Sequence, residues 1–217
     1  MAEIVFFGVS NMLSDLFDCA LALGHRVGRV VRNHPEAVRP RTRSAAARMA
    51  VLRPPPEDID LADFAPRAGE IYALGTSSPA RAGLVRELEA RFGLAFATLV
   101  HPTAYVSPLA EIGPGCFVGA GSVIAPGVRL AAHVFVNRSV SIGHDTEVEA
   151  FARLQPGCLV AGHVRIGAGA TIGLGARVIE ELEIGARAII GAGAVVLRDV
   201  AAETTVVGVP ARPFARR

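Results

Sequence analysis

One of the six histidines, His144, stands directly before an acidic residue in the run Ile142-Gly-His-Asp145. A neutral imidazole can take a proton from an attacking amine or hydroxyl near pH 7, and a carboxylate beside it can fix the ring tautomer and stabilise the imidazolium. His144 is therefore the candidate general base and Asp145 its orienting partner. Composition removes several other chemistries. All 22 basic residues are arginine, which excludes a P-loop lysine, a Schiff-base lysine and a lysine base. Cys19, Cys116 and Cys158 are widely spaced and odd in number, so they make neither a disulfide framework nor a Cys-x-x-Cys metal pair, and they fit a reducing compartment. No serine, cysteine or lysine stands beside a base as an activated nucleophile.

The element that must position His144 is a repeat. Stepping by six from Val106 reaches Ile112, Val118, Ile124, Leu130, Val136, Ile142, Val148, Leu154, Val160, Ile166, Ile172, Val178, Ile184, Ile190 and Val196, all aliphatic. Four places after most of them comes a small or compact residue such as Cys116, Ser122, Thr146, Cys158 or Ala170, and glycine often follows directly. A period of six is neither a helix nor an ordinary strand. It describes a short strand and a sharp turn, repeated, with one aliphatic pointing inward at each step: a parallel β-helix of hexapeptides. Three hexads make a triangular coil, so equivalent residues of successive coils stack at about 4.8 Å. His144 lies two places after the inward Ile142, on a turn, where a side chain points outward. Cys116 and Cys158 occupy small inward positions and read as core.

The first hundred residues follow another pattern. Glu3 to Gly8 reads as a buried strand; Ser10 or Asn11 caps a helix to about Leu23; Arg26 to Arg32 and Glu70 to Gly75 are further strands; Pro79 to Phe92 is a helix and Leu94 to Val100 a fourth strand. Strands alternating with helices predict a small Rossmann-like parallel α/β sheet. Ligands of such sheets bind beyond the carboxyl ends of the strands, which places Gly8, Ser10, Asn11 and Thr76 in a substrate-binding position. The Gly-x-Gly-x-x-Gly dinucleotide fingerprint is absent. Between the second and third strands the chain is basic, with Arg26, Arg29, Arg32, Arg39, Arg41, Arg43, Arg48 and Arg53 against Glu36 alone. This is either a solvated loop or a rim that attracts an anionic acceptor. Without interleaved aromatics it does not read as a nucleic-acid site.

Asn137 through Asp145 resembles the catalytic segment of bacterial hexapeptide-repeat acyltransferases: the sialic acid O-acetyltransferase-like proteins and the N-acetyltransferases of nucleotide-linked amino sugars. That group also has a small α/β domain, then a left-handed β-helix, then a Gly-Val-Pro-Ala segment, matched here by Gly208-Val-Pro-Ala211. The resemblance extends over essentially the whole chain. It implies an acceptor-binding domain over residues 1–102 and an acyltransferase domain over 103–217. It further implies acetyl-CoA as co-substrate, a sugar or nucleotide-sugar acceptor, and a homotrimer with the co-substrate in a groove between neighbouring subunits. By matching motif, His144 is the base and Asp145 its partner; Gly162 and Ala192 meet the pantetheine arm, with Pro210 and Arg212 near the nucleotide end. Two features depart from the group. Where many members carry a second histidine nine places after the first, this chain has Arg153, which can donate to an oxyanion but cannot serve as a base. The group's Gly-x-Gly-Gly-His-Gly-like turn is replaced by Gly8-Val-Ser-Asn-Met-Leu13.

Two other functions compete with acyl transfer. One is a non-catalytic trimeric scaffold. The other is a zinc enzyme of the carbonic anhydrase kind, whose members share a His-x4-His pair and a third histidine. His133, His144 and His163 are spaced 11 and 19 apart, so no metal site is expected. The longest uncharged stretch, Phe92 to Ala110, contains His101, Pro102 and Pro108 and does not read as a membrane span. A basic signal-peptide start is missing, since the first arginine is Arg26. The expectation is a cytoplasmic enzyme.

Overall fold

In the computed structural model the described residues are 2–33, 44–78 and 80–214. They form two compact units, Met1–Leu99 and Val100–Arg217. Glu36, Arg39, Arg41 and Arg43 of the basic segment lie outside the described residues.

The first unit is a four-stranded sheet of β1 (Glu3–Phe7), β2 (Arg26–Arg32), β3 (Glu57–Asp60) and β4 (Glu70–Leu74), in the order β3-β2-β1-β4 and parallel throughout. The interior strand β1 is apolar almost without alternation because both of its faces are covered. Helix α1 (Leu13–Ala22) turns Leu13, Leu16, Phe17 and Ala20 into the core at helical spacing. Helices α2 (Ala45–Met49) and α3 (Arg81–Phe92) follow β2 and β4, and α3 ends on Gly93 in the left-handed conformation.

Three sequence expectations are corrected. Strand β3 is absent from the sequence reading, because Glu57-Asp-Ile-Asp60 is an edge strand whose polar residues give no apolar signal. The strand expected over Leu94 to Val100 shrinks to Leu99–Val100, with an isolated bridge from Phe96 to Tyr72. Neither Ser10 nor Asn11 caps α1, whose N-cap is Met12 with no side-chain bond. The Ser10 hydroxyl instead accepts from the Met12 N–H at 3.1 Å and donates to the Gly75 carbonyl at 2.9 Å.

The second unit is a left-handed β-helix. Its two-residue strands fall on three faces. The first face begins its strands at Tyr105, Val123, Ser141, Leu159, Arg177 and Val195; the second at Glu111, Arg129, Glu147, Arg165 and Glu183; the third carries strands at Phe117, Phe135, Arg153, Thr171 and Ile189. Each strand pairs in parallel with its equivalent in the next coil, as Ser141 does with Leu159 and Ile142 with Val160. The second residue of these strands points inward, so the six-residue row of aliphatics becomes one continuous core, buried from Val118 to Val196. The antiparallel pair Thr205–Val207 and Arg212–Pro213 closes the end.

Burying an aliphatic in this column contributes transfer and packing energy with no room for relaxation, since identical coils press from both sides. Replacing the fully buried Ile166 by alanine should cost about 2–5 kcal/mol of unfolding free energy. Arg165→Ala, altering the adjacent outward residue, should leave the denaturation midpoint nearly unchanged. Denaturant titration of the two variants side by side checks this, and equal losses would contradict the assigned inward row.

Candidate active site

His144 and Asp145 occupy the turn that carries the chain from the first face (Ser141–Ile142) to the second (Glu147–Val148). Asp145 has φ 56°, a left-handed conformation held because its N–H donates to the Pro126 carbonyl one coil below, at 3.0 Å. The turn of the next coil is tied in the same way, the His163 N–H donating to the His144 carbonyl at 2.9 Å. The backbone of the site is thus fixed by coil stacking before any side chain interacts.

Two glycines make room for the side chains. A Cβ on Gly162, which stacks on His144 in the next coil, would lie 2.8 Å from Cε1 and 2.9 Å from Nε2 of the imidazole. A Cβ on Gly127, which stacks under Asp145 in the preceding coil, would lie 2.3 Å from the Asp145 Oδ1. The carboxylate and the ring occupy these spaces and meet: His144 Nδ1 is 2.9 Å from Asp145 Oδ2. A carboxylate only accepts, so Nδ1 carries a proton, and in the neutral ring Nε2 is the nitrogen left to accept one. Both side chains are more than half exposed, so the ring combines accessibility with a defined tautomer. This is the geometry a general base requires.

Beside them stands His163, which in the sequence figures only within the zinc alternative. Its ring meets that of His144 edge to face, with centroids 4.9 Å apart. His133 is elsewhere, nearly buried and stacked on Phe151 at 4.9 Å. The three histidines are therefore not one cluster.

Arg153 is not at the His144 turn. It lies on the third face, whereas His144 stands at the corner between the first and second, so one chain does not bring them together. Its guanidinium donates to the Thr171 hydroxyl from Nε at 3.2 Å and from Nη2 at 2.9 Å, and burial pushes its pKa below the ordinary value. Gly162 touches His144, but Ala192 follows Ile189–Ile190 at the opposite edge of the first face. Pro210 is exposed, and Arg212 lines a cavity of about 410 Å³ with Val196, Arg198, Val200 and Thr204 at the closed end of the β-helix. The four residues expected along the co-substrate thus spread over three places in a single chain. Burial pushes the Cys158 thiol up to about 12, and that of Cys19 likewise; Cys116 is also buried. None of the three is a nucleophile.

In the first unit, Gly8, Ser10, Asn11 and Thr76 are gathered at the carboxyl ends of the neighbouring strands β1 and β4. The two turns touch so closely that a Cβ on Gly8 would lie 2.8 Å from Thr76 Cγ2, and one on Gly75 would lie 2.1 Å from the Gly8 carbonyl oxygen. Thr76 is nearly buried, and its hydroxyl accepts from the Ser78 N–H at 3.1 Å. Ser10 and Thr76 therefore shape the turns. Asn11 accepts from Arg48 Nη2 at 3.3 Å, and Ser14 from Nη1 at 2.8 Å, which brings a cation of the basic segment to the same sheet edge.

Among solved structures, the acetyltransferase domain of PglB from Neisseria gonorrhoeae FA1090 matches with a TM-score of 0.83 and 28% identity, covering 99% of this chain and 100% of that one. A variant of perosamine N-acetyltransferase from Caulobacter crescentus, solved with CoA and GDP-perosamine, matches with a TM-score of 0.84 and 25% identity over 100% of this chain and 98% of that one. WeeI from Acinetobacter baumannii AYE shares the fold at a TM-score of 0.72 and 20% identity, over 99% and 100% of the two chains. No protein-family model and no curated protein matches the sequence. Over nearly its whole length the chain thus has the fold of these acetyltransferases, a left-handed β-helix of hexapeptides preceded by an α/β unit.

The space above Gly162 is the part of this site most open to test. Gly162→Ala should displace the His144 ring without disturbing the coil, because the clash is with a side chain more than half exposed. Histidine ring NMR signals of His144 should move while circular dichroism is unchanged, and unmoved ring signals would contradict the described contact.

Proposed function

We propose that this protein transfers the acetyl group of acetyl-CoA to the amino group of a nucleotide-linked sugar, with His144 as general base and Asp145 holding its tautomer. The observation that carries the reading is the bond from His144 Nδ1 to Asp145, which in the neutral ring makes Nε2 the accepting nitrogen of a side chain more than half exposed. It is supported by full-length likeness to acetyltransferases, one solved with acetyl-CoA and one with CoA and GDP-perosamine. In this mechanism Nε2 takes a proton from the acceptor nitrogen as that nitrogen bonds to the thioester carbonyl carbon. The tetrahedral oxyanion then collapses, the carbon–sulfur bond breaks, and the imidazolium returns the proton to the departing CoA thiolate. With every cysteine buried, no acyl-enzyme is needed.

The α/β unit is assigned acceptor binding at the Gly8–Asn11 and Gly75–Ser78 turns, with Arg48 supplying positive charge for an anionic acceptor. Gly162, Ala192, Pro210 and Arg212 are assigned to acetyl-CoA. Because these and Arg153 do not converge in one chain, we place the working site in a homotrimer. The second face needs no partner, since its outward row Glu111, Arg129, Glu147, Arg165, Glu183 alternates in charge; Arg129 and Arg165 both reach Glu147 and hold its carboxyl below the usual carboxylate range. The outward row of the first face instead exposes Tyr105, Val123 and Leu159, with Ser141 between the last two and a single charge, Arg177, beyond them, a largely uncharged strip suited to packing around a threefold axis. Arg153 then serves a neighbour's oxyanion. None of the described helices is long and apolar enough to cross a membrane, and three free thiols suit a cytoplasmic setting.

Kinetics of single variants, mixed trimers and a mass measurement test these assignments. With acetyl-CoA and a panel of nucleotide-linked amino sugars, His144→Ala should lower kcat by about 10²–10⁴ with acetyl-CoA affinity nearly intact. Thiol release within twofold of wild type would sink the base assignment. Arg153→Ala should lower kcat by about 10²–10³ if its guanidinium serves the oxyanion. Trimers assembled from a mixture of His144→Ala and Arg153→Ala chains should regain activity that neither has alone, because a shared site then pairs an intact His144 with an intact Arg153. No recovery, or a mass by light scattering equal to one chain of 22.6 kDa, would contradict the shared site.

A further inference from the structure

The His144 turn stack holds one more group than acyl transfer uses. Asp145 Oδ2 lies 2.9 Å from His144 Nδ1 and 4.0 Å from His163 Nε2, and one donor atom from each of the three residues fits within 4.8 Å. Donors at about 2.0–2.2 Å from a tetrahedral ion stand about 3.4 Å apart, so the two measured separations bracket the requirement. The backbone under these groups is already set. Asp145 and His163 have φ 56° and 58° in successive coils, and the His163 N–H bonds to the His144 carbonyl. All three side chains are more than half exposed, so small rotations complete the convergence without repacking. Two imidazoles and one carboxylate favour zinc-like and copper-like ions over magnesium or calcium, which take oxygen donors.

We propose that His144, Asp145 and His163 bind a divalent transition ion of the zinc class, and that occupancy switches acyl transfer off. The ion takes the place of the proton between Nδ1 and Oδ2. The single N–H of the neutral ring then resides on Nε2, which can no longer accept a proton from the amine, so no net proton is gained or lost by the imidazole. The inhibitory half rests on His144 being the base; the binding half does not.

The full-length protein is titrated with Co2+ and read by visible absorption, with Zn2+ as competitor. One ion per chain is expected, in a low-symmetry spectrum displaced by Zn2+. His163→Asn should weaken binding at least about tenfold, since it removes one of three donors; asparagine tolerates the positive φ, and circular dichroism verifies the fold. Zn2+ should suppress thiol release from acetyl-CoA, and a chelator should restore it. Binding unchanged by both His163→Asn and Asp145→Asn overturns the site. Binding that depends on His163 while saturating Zn2+ leaves turnover intact keeps the site and overturns the inhibition. The His144→Ala turnover measured in chelator then decides the base assignment separately.

Discussion

Everything at the His144 corner depends on one constraint: each coil of the β-helix must hydrogen-bond to the coils stacked directly above and below it. The backbone N–H of Asp145 reaches the carbonyl of Pro126, that of His163 the carbonyl of His144, and that of Glu181 the carbonyl of Gly162. With the coils about 4.8 Å apart, side chains form columns, and at this corner the His144 ring and the Asp145 carboxylate lean into spaces that glycines leave in the neighbouring coils. The apolar column inside and the polar columns at the corners are both consequences of this spacing.

That constraint explains how an exposed pair of residues is held without a hydrophobic pocket. His144 is set under one glycine and Asp145 over another, and the contact between them follows from two vacancies in adjacent columns. Neither residue is buried, so neither imposes the desolvation cost that a buried charged group would. The rigidity comes from the backbone ladder, and the imidazole stays accessible. The same ladder brings His163 within reach of the shared carboxylate, so the proposed base and the proposed metal ligands share one turn stack.

The α/β unit solves its positioning problem differently. Its two glycine turns touch, and the hydroxyls of Ser10 and Thr76 bond to backbone groups of these turns, so the sheet edge is shaped by contacts distant in sequence. Ser10 illustrates the difference between local and tertiary control: it precedes a helix and has the chemistry of an N-cap, yet its hydroxyl bonds to Gly75 across the sheet.

How much was legible in the sequence follows from the range of the physics. The β-helix was legible because its period repeats a local event, one inward aliphatic and one turn, and every coil reads the same way. The pairing of His144 with Asp145 was legible because the two are adjacent. Strand β3 was not, since an edge strand of Glu57-Asp-Ile-Asp60 needs no apolar pattern and is defined only by its partner β2. The convergence of His163 and Gly162 on the His144 turn follows from the three-hexad register, a sequence quantity, but the side-chain contacts themselves were decided by tertiary structure, because rotamers settle only when both coils are in place. The separation of Arg153 from His144 was decided there too: their offset in the chain is half a coil, and half a coil of a triangular prism puts two side chains on different sides of the core.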